Sequence, residues 1–371
     1  MKEDATFYYI AWVIVLIIAI IERIRKRPFN NTLITIIFMV AAVIVACRVE
    51  VGADWDHYKF LFYNGYDTSG RGEGTIEPIF MLARNFFCNF GFTHAVFFLF
   101  LSLLSLIAIR KAAELFGIKF FMTVFLVYYS MFFLNYQFNI VRHGVMASFV
   151  WLSFAYKARG KIKASIIAIV IALGFHLTAL IFIPFLFFLD KRIPKSVVLG
   201  ILGVALLTYY LQLSTRIISF FPILAELERT ASFVTSENFV KDFKLDIGSL
   251  IQVFLFLFLY IKYSYSYKNN SSFRLLVNSL LFNFLLVCIL SAFYAIISRI
   301  CNALFMTVIF LLPLYIEMLR RPIDRLVAES IIVFYLFFSS LPKAFVVQED
   351  GKSEMLPYKF EIRQLVDKNA I

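Results

Sequence analysis

A short charged stretch follows one of the most apolar runs of the chain and holds the first residues that could do chemistry. It spans residues 48–58 and reads RVEVGADWDHY. Asp54 and Asp56 form a D-x-D pair, whose carboxylate oxygens could hold a divalent cation or accept a proton, or could simply be solvated. Arg48 stands beside these acids at the edge of the apolar run, which is typical of an arginine that is paired or binds an anion.

A second polar cluster lies in the sequence NYQFNIVRHGVMASF. Asn139, Arg142, His143 and Met146 recur at helical spacing, which predicts one shared helix face. Arg142 would stand about one turn inside a helix N-terminus, where the helix dipole and the free N–H groups add to its charge. Such a place suits a phosphate, whereas the alternative is an interfacial arginine that reaches toward lipid headgroups. The nearby Gln137 favours the phosphate site.

Two further polar residues interrupt apolar runs. His176 lies in GFHLTAL, where one predicted span turns into the next, and it could be a proton acceptor or a hydrogen-bonded structural histidine. Arg299 opens a late apolar run, and the cost of placing a guanidinium beside hydrocarbon favours a functional role. We expect both residues at the same membrane face as Arg48, Asp54 and Arg142. One site would then collect groups for anion binding and for proton transfer.

The elements that must position these residues are membrane-spanning helices. The 371 residues are 61% hydrophobic and 18% aromatic with a mean hydropathy of +0.83, which excludes a water-soluble core of this size. A span needs about 20 residues, so the chain can hold roughly twelve. The apolar runs predict an all-α polytopic membrane protein with spans at about 6–22, 31–47, 93–110, 119–134, 139–157, 162–175, 176–190, 195–212, 248–265, 273–292, 299–318 and 327–341.

The whole chain, 1–371, is expected to form a single integral-membrane domain. The sequence ERIRKRPFN follows the first apolar run in place of a small-residue cleavage site, so this run is predicted to be a retained span and not a signal peptide. The four cysteines lie in or beside apolar runs without C-x-x-C spacing. They therefore predict neither a disulfide framework nor a metal site.

Loop charge predicts how the helices are oriented. Short cytoplasmic loops are enriched in Lys and Arg, and with the N-terminus outside, six inner loops hold 20 of the 36 basic residues. Both termini then face the outer, periplasmic side, together with outer segments at 48–92 and 213–247 and a tail at 342–371. Residues 76–92 are apolar but broken by Arg84, so we expect an interfacial or re-entrant helix. We expect the net charge of +12 to reflect the membrane topology and to attract anionic lipid. It does not indicate nucleic-acid binding.

The order of these motifs resembles that of the EpsG-like and Wzy-type polysaccharide polymerases of bacterial cell envelopes. The positions that carry the resemblance are Arg48, Gly52, Asp54, Tyr58, Gln137, Asn139, Arg142, Gly174, Phe175, His176 and Arg299. The chain departs from the pattern at Ala53 and Trp55, where the family often has Thr and Tyr, and at His143, where it has Gln. These departures bear on the neighbours of Asp54 and Arg142 and not on those two residues.

The resemblance implies a GT-C-like glycosyltransferase that joins oligosaccharide repeat units carried on undecaprenyl pyrophosphate, at the periplasmic face of the bacterial inner membrane. Arginines suit the pyrophosphate because they make bidentate contacts and stabilise the charge that grows on the leaving group. We assign this role to Arg142 and Arg299, supported by Arg48. Asp54, or alternatively His176, would accept the proton of the acceptor hydroxyl. Further substrate contacts would come from Tyr58, Gln137, Asn139 and His143.

The expected partners are lipid-linked oligosaccharides, membrane lipids and, for chain-length control, a separate membrane protein. No metal, other cofactor or nucleic acid is expected. A lipid-linked oligosaccharide flippase is an alternative, but it should carry charges at mid-membrane depth and show two similar halves. A membrane acyltransferase and an O-antigen ligase are further alternatives, and the ligase would use the same donor and differ only in its acceptor. The sequence leaves that choice open, while the motif match favours a polymerase.

Overall fold

The structure is a computed structural model that describes residues 5–65, 77–213, 247–291, 294–345, 353 and 355–367, without the side chains of 247, 294–298 and 344. The predicted outer segment 213–247 therefore lies almost wholly outside the described residues. Within them the chain is helical, and the β-type contact that occurs is an isolated bridge between Arg48 and Phe360. The all-α class predicted from composition is confirmed for this part of the chain.

The helices follow the apolar runs closely. They are α1 (Thr6–Ile24), α2 (Asn31–Ala46), α3 (Trp55–Asn64), α4 (Pro78–Asn89), α5 (His94–Phe116), α6 (Phe121–Tyr128), α7 (Val141–Ala158), α8 (Ile162–Phe175), α9 (Phe185–Phe188), α10 (Lys195–Tyr210), α11 (Ile247–Lys262), α12 (Ser264–Asn269), α13 (Ser271–Ile289), α14 (Tyr294–Phe305), α15 (Val308–Met318) and α16 (Pro322–Tyr335). Wider π-helical turns extend α6 at Tyr129–Phe133 and Asn135–Asn139 and α16 at Leu336–Ser340. Short 3₁₀ helices lie at Leu177–Phe182, Leu341–Phe345 and Ile362–Leu365.

Each of the twelve predicted spans falls on a helical segment of the described residues. By length and composition, five of these segments can cross a membrane: Thr6–Ile24, His94–Phe116, Ser271–Ile289, Arg299–Met318 and Pro322–Lys343. Six further apolar helices have 10–17 residues. The chain is thus a multi-pass membrane protein. The count of twelve crossings, the GT-C-like architecture and the outward termini stay predictions.

Helix α7 is the centre of the bundle. Residues 141–155 of α7 are buried, and the helix packs against α5 and α8. The indole of Trp151 donates a hydrogen bond to the carbonyl of Ala303 at 2.8 Å, which ties α7 to α14. By contrast, α1, α10, α11 and α16 expose large apolar side chains, as expected of helices that face lipid. The polar residues at the start of α7 are thereby held in the middle of the protein.

Basic loops and the candidate chemistry lie at opposite ends of the bundle. At the basic end, Glu317 accepts a hydrogen bond from Phe120 N at 3.1 Å and Glu22 accepts one from Met122 N at 2.9 Å. Two carboxylates thus bind the N–H groups at the start of α6 that have no partner within the helix. The other end collects the loop after α2, the starts of α3, α4, α5 and α7, and the end of α8. Those elements position the site.

Candidate functional site

Arg48 lies beneath the loop that joins α2 to α3. Its side chain is fully buried, and the guanidinium donates hydrogen bonds to the carbonyls of Val51 (3.1 Å) and Phe138 (3.2 Å) and to that of Val45. Its centre also stacks 4.5 Å from the ring of Phe98. Burial lowers the pKa of Arg48 to about 9, so the side chain stays cationic at neutral pH. The structure therefore directs the donors of Arg48 to the backbone.

The next part of this loop docks onto the turn before α7. Gly52 has a φ of +97°, and a Cβ there would overlap the carbonyl oxygen of Phe138. The Asn139 side-chain oxygen accepts a hydrogen bond from Ala53 N at 2.6 Å. Ile140 leaves the helical conformation, with φ −89° and ψ 61°, so α7 begins only after it. The predicted helix face from Asn139 to Met146 is wrong in this respect, because Asn139 precedes the helix.

Asp54 ends the loop at the first turn of α3. Its side chain is half-buried, whereas the side chain of Asp56 is exposed. Asp54 lies close enough to Arg142 to interact with it electrostatically. The Tyr58 hydroxyl, one turn further along α3, accepts a hydrogen bond from Arg142 N at 3.4 Å. The two acids of the D-x-D pair thus have different surroundings, since Asp54 borders the site and Asp56 faces the solvent. Across the described residues, no three His, Cys, Asp or Glu side chains group closely enough to hold a metal ion.

A buried ion pair is the centre of the site. Arg142, the second residue of α7, has its Nη1 2.9 Å from Oε2 of Glu77, and the two side chains are 10% and 8% exposed. The other carboxylate oxygen of Glu77 accepts a hydrogen bond from Leu177 N at 3.2 Å and lies 4.0 Å from Nδ1 of His176. The ring of Phe80 lies 5.3 Å from the guanidinium. Glu77 therefore joins the start of α7 to the segment where the helix ends after α8.

Arg142 keeps a donor available. Its Nε is buried and has no hydrogen bond of ordinary geometry with the residues that the structure describes, although the Tyr58 hydroxyl interacts with the guanidinium. A buried polar group without a partner is costly, and such groups in native proteins are often explained by function. An anion that reached the start of α7 would meet this donor and the positive end of the helix dipole together.

His143 and His176 lie side by side at the same level. Their rings are 5.2 Å apart at 85°. His143 Nε2 donates to the carbonyl of Arg299 at 2.9 Å, which leaves Nδ1 as the acceptor of the neutral ring. Nδ1 of His176 accepts from the Thr178 hydroxyl at 2.9 Å if the threonine donates. The backbone of Arg299 is thereby fixed at the site, and its side chain is half-buried.

These residues fall within one region of similarity to known proteins. A family model described as the EpsG family matches residues 31–360. The chain belongs to the EpsG family. Membership supports a polysaccharide-polymerase-like role and confirms the resemblance read from the motifs. No curated protein and no solved structure matches the chain.

The structure brings together most of the residues that the EpsG-type motifs predicted. Near the Arg142–Glu77 pair it collects the side chains of Asp54, Tyr58, Asn139, His143 and His176 and the backbone of Arg299. Gln137 lies deeper, where its amide nitrogen donates to the Tyr128 hydroxyl at 2.8 Å. Sequence reasoning missed Glu77 itself. The signal that could have found it is an acid directly before Pro78, at the start of the segment that was predicted to be interfacial.

The C-terminal segment, residues 355–367, is a second part of the site that the sequence did not suggest. It lies across the loop after α2, where Val49 N donates to Lys359 O (3.1 Å) and Glu361 N to Cys47 O (2.8 Å). Gln364 is fully buried, with its side-chain oxygen 3.1 Å from Nε2 of His94 and its nitrogen 3.4 Å from the carbonyl of Arg48. The predicted outer tail is thus packed against the loop that carries Asp54.

The Gly52→Ala variant tests whether docking of this loop matters. The added Cβ overlaps the carbonyl of Phe138, so we expect the loop to move and polysaccharide production to fall at least about tenfold. Gly91→Ala is the matched control. Gly91 also has a positive φ, +81°, but a Cβ there meets nothing within 4 Å. If the two variants reduced production to the same extent, φ strain alone, and not the contact with Phe138, would determine the effect.

Proposed function

We propose that the protein polymerises oligosaccharide repeat units carried on undecaprenyl pyrophosphate, at the periplasmic face of the bacterial inner membrane. The observation that carries the proposal is the buried Arg142–Glu77 pair at the start of α7, with Arg142 Nε left without a hydrogen bond of ordinary geometry to the described residues. A guanidinium in this setting suits a phosphate oxygen. Family membership supports the coarser polymerase-like role on which the proposal builds.

The reaction that fits these residues is displacement at an anomeric carbon. The acceptor hydroxyl attacks that carbon, a new glycosidic C–O bond forms, and the C–O bond to the pyrophosphate breaks. Negative charge then grows on the leaving phosphate, where Arg142 and Arg299 would stabilise it. The proton of the hydroxyl passes to a base, and Asp54 and His176 remain the two candidates. Asp54 interacts electrostatically with Arg142, and Nδ1 of His176 lies 4.0 Å from Glu77, so both candidates adjoin the ion pair.

Glu77 adds a role that the motifs did not contain. Its carboxylate pairs with Arg142 and also accepts a hydrogen bond from Leu177 N, directly after His176. Preorganised charges stabilise a transition state better than mobile ones, because they need no rearrangement as the charge develops. Arg48 would act one layer below, by holding the loop that places Asp54. We thus propose Arg48 as a positioning residue in place of a pyrophosphate ligand.

The proposal is tested in the native host by deleting the gene and complementing it with the wild type or Arg142→Ala. We expect the deletion strain and Arg142→Ala to lose the long-chain ladder on a polysaccharide gel and to accumulate lipid-linked single repeat units. Arg110→Ala is the control, since Arg110 lies at the opposite end and pairs with Glu114 at 3.3 Å. An unchanged ladder in the Arg142→Ala strain would remove Arg142 from the mechanism. Loss of every repeat band on deletion would point to a flippase or a ligase.

A further inference from the structure

A groove at the basic end of the bundle combines volume with positive charge. It has a volume of about 380 Å³ and lies between the start of α10 and the end of α11, with α12 on its other side. Arg192, Lys195 and Lys268 line it together with two tyrosines, and its lining contains no acidic side chain. We propose that this groove binds the phosphate of an anionic phospholipid headgroup. The proposal does not depend on the function of the site at the other end.

The three cations of the groove are exposed and have no acidic partner among the described residues. In the part of the chain that the structure describes, Arg192, Lys195 and Lys268 form no salt bridge. Three like charges around one concavity raise its positive potential and attract anions. The charge pattern therefore favours an anionic ligand.

The groove is held in shape by hydrogen bonds within the protein. Nε and Nη2 of Arg192 donate to the carbonyl of Lys268 at 3.1 and 2.8 Å, which joins the two sides. On the floor, the Tyr260 hydroxyl donates to Ile193 O at 2.8 Å, and Ile193 N donates to the Tyr267 hydroxyl at 3.1 Å. A ligand would thus find a formed site and would not have to order these side chains.

The surface next to the groove favours a lipid over a free phosphate ion. On α11, Leu250, Phe254 and Ile261 are 58%, 70% and 66% exposed, and on α10, Val197 and Leu199 are 48% and 68% exposed. These apolar residues extend along the two helices away from the cations. A phospholipid would bury its acyl chains against them while its phosphate lies among the lysines. Basic pockets between membrane helices commonly bind lipid headgroups in this way.

The test compares lipid retention by the purified wild type and by the Lys195→Gln/Lys268→Gln variant. The protein in detergent is mixed with phosphatidylglycerol or with phosphatidylcholine of the same acyl chains, and bound lipid is counted by native mass spectrometry. We expect the wild type to retain phosphatidylglycerol at least about tenfold more strongly than the variant does, and to show no such preference for phosphatidylcholine. Lys161→Gln/Lys163→Gln is the control, because both lysines are exposed at the same end and outside the groove.

Three results would overturn the proposal. Equal retention of phosphatidylglycerol by the wild type and the groove variant would show that the groove does not bind it. Equal retention of the two lipids would show that charge is not recognised. Protection from heat by millimolar inorganic phosphate, equal to that given by phosphatidylglycerol, would assign the groove to a free anion. The single variants Lys195→Gln and Lys268→Gln provide the same comparison if the double variant does not fold.

Discussion

Replacing Glu77 with glutamine is expected to reduce repeat-unit elongation at least about a hundredfold, the usual cost of losing one preorganised electrostatic contact in an active site. Glutamine keeps the size of the side chain and an oxygen that can accept from Leu177 N, but it removes the charge that faces Arg142. The variant should also be less stable, because it leaves a buried cation unpaired. Elongation would be measured with lipid-linked repeat units and purified protein, and stability by thermal unfolding in detergent.

The double variant Glu77→Gln/Arg142→Gln separates catalysis from folding. Removing both charges takes away the unpaired cation, so we expect it to recover most of the stability that Glu77→Gln loses, while elongation stays lost. Asp56→Asn is the control for loss of an acid in this region, since Asp56 is exposed and should tolerate the change. Wild-type elongation by Glu77→Gln would contradict the role given to the ion pair. Recovery of elongation in the double variant would contradict it as well.

The second large effect is expected from Gln364→Leu. Leucine fills a similar volume but leaves His94 Nε2 without its side-chain partner. The carbonyl of Arg48 loses one donor and keeps the Trp55 indole at 3.1 Å. A buried polar group that loses its partner costs about 1–3 kcal/mol, so the free energy of unfolding should fall by about 1–3 kcal/mol. Because the Arg48 loop carries Asp54, elongation should fall too. Thermal unfolding and the elongation assay measure the two effects.

The neighbouring Arg363 provides a matched control for this segment. Its side chain is 81% exposed, so Arg363→Ala should leave both stability and elongation within error of the wild type. Gln364→Glu gives a further comparison, since it retains an oxygen toward His94 but lacks the donor toward Arg48. If Gln364→Leu is as stable and as active as Arg363→Ala, the C-terminal segment does not support the loop.

Much of the fold could be predicted because membrane helices are long apolar runs. The break between α8 and the following 3₁₀ helix was also predictable, since His176 interrupts the run and is extended in the structure, with φ −162°. Arg48 shows why side-chain direction was not predictable. A sequence locates an arginine at the edge of a span, but the partners that fix its guanidinium, Val51 and Phe138, depend on how the loop folds back.

Glu77 was missed because the acid before Pro78 acquires its role only through a contact between two helices that are distant in sequence. Helix α4 reaches α8 at Gly174, where a Cβ would overlap the side chain of Ile79. This close approach accompanies the contacts of Glu77, which directly precedes α4, with Arg142 and Leu177. Gly174 is part of the Gly-Phe-His motif, and the close approach of Ile79 explains why this position has no side chain. Gln364 was missed for a similar reason, since its partners His94 and Arg48 are distant in sequence.

Elongation by the purified protein tests the central proposal most directly. Lipid-linked single repeat units extracted from the deletion strain would be incubated with the wild type or with Arg142→Ala, and the number of repeats per lipid carrier would be read by mass spectrometry. We predict products with two or more repeats on one carrier for the wild type and only single repeats for Arg142→Ala. Failure of the wild type to elongate while it moves the units across a vesicle membrane, or equal elongation by the two proteins, would contradict the proposal.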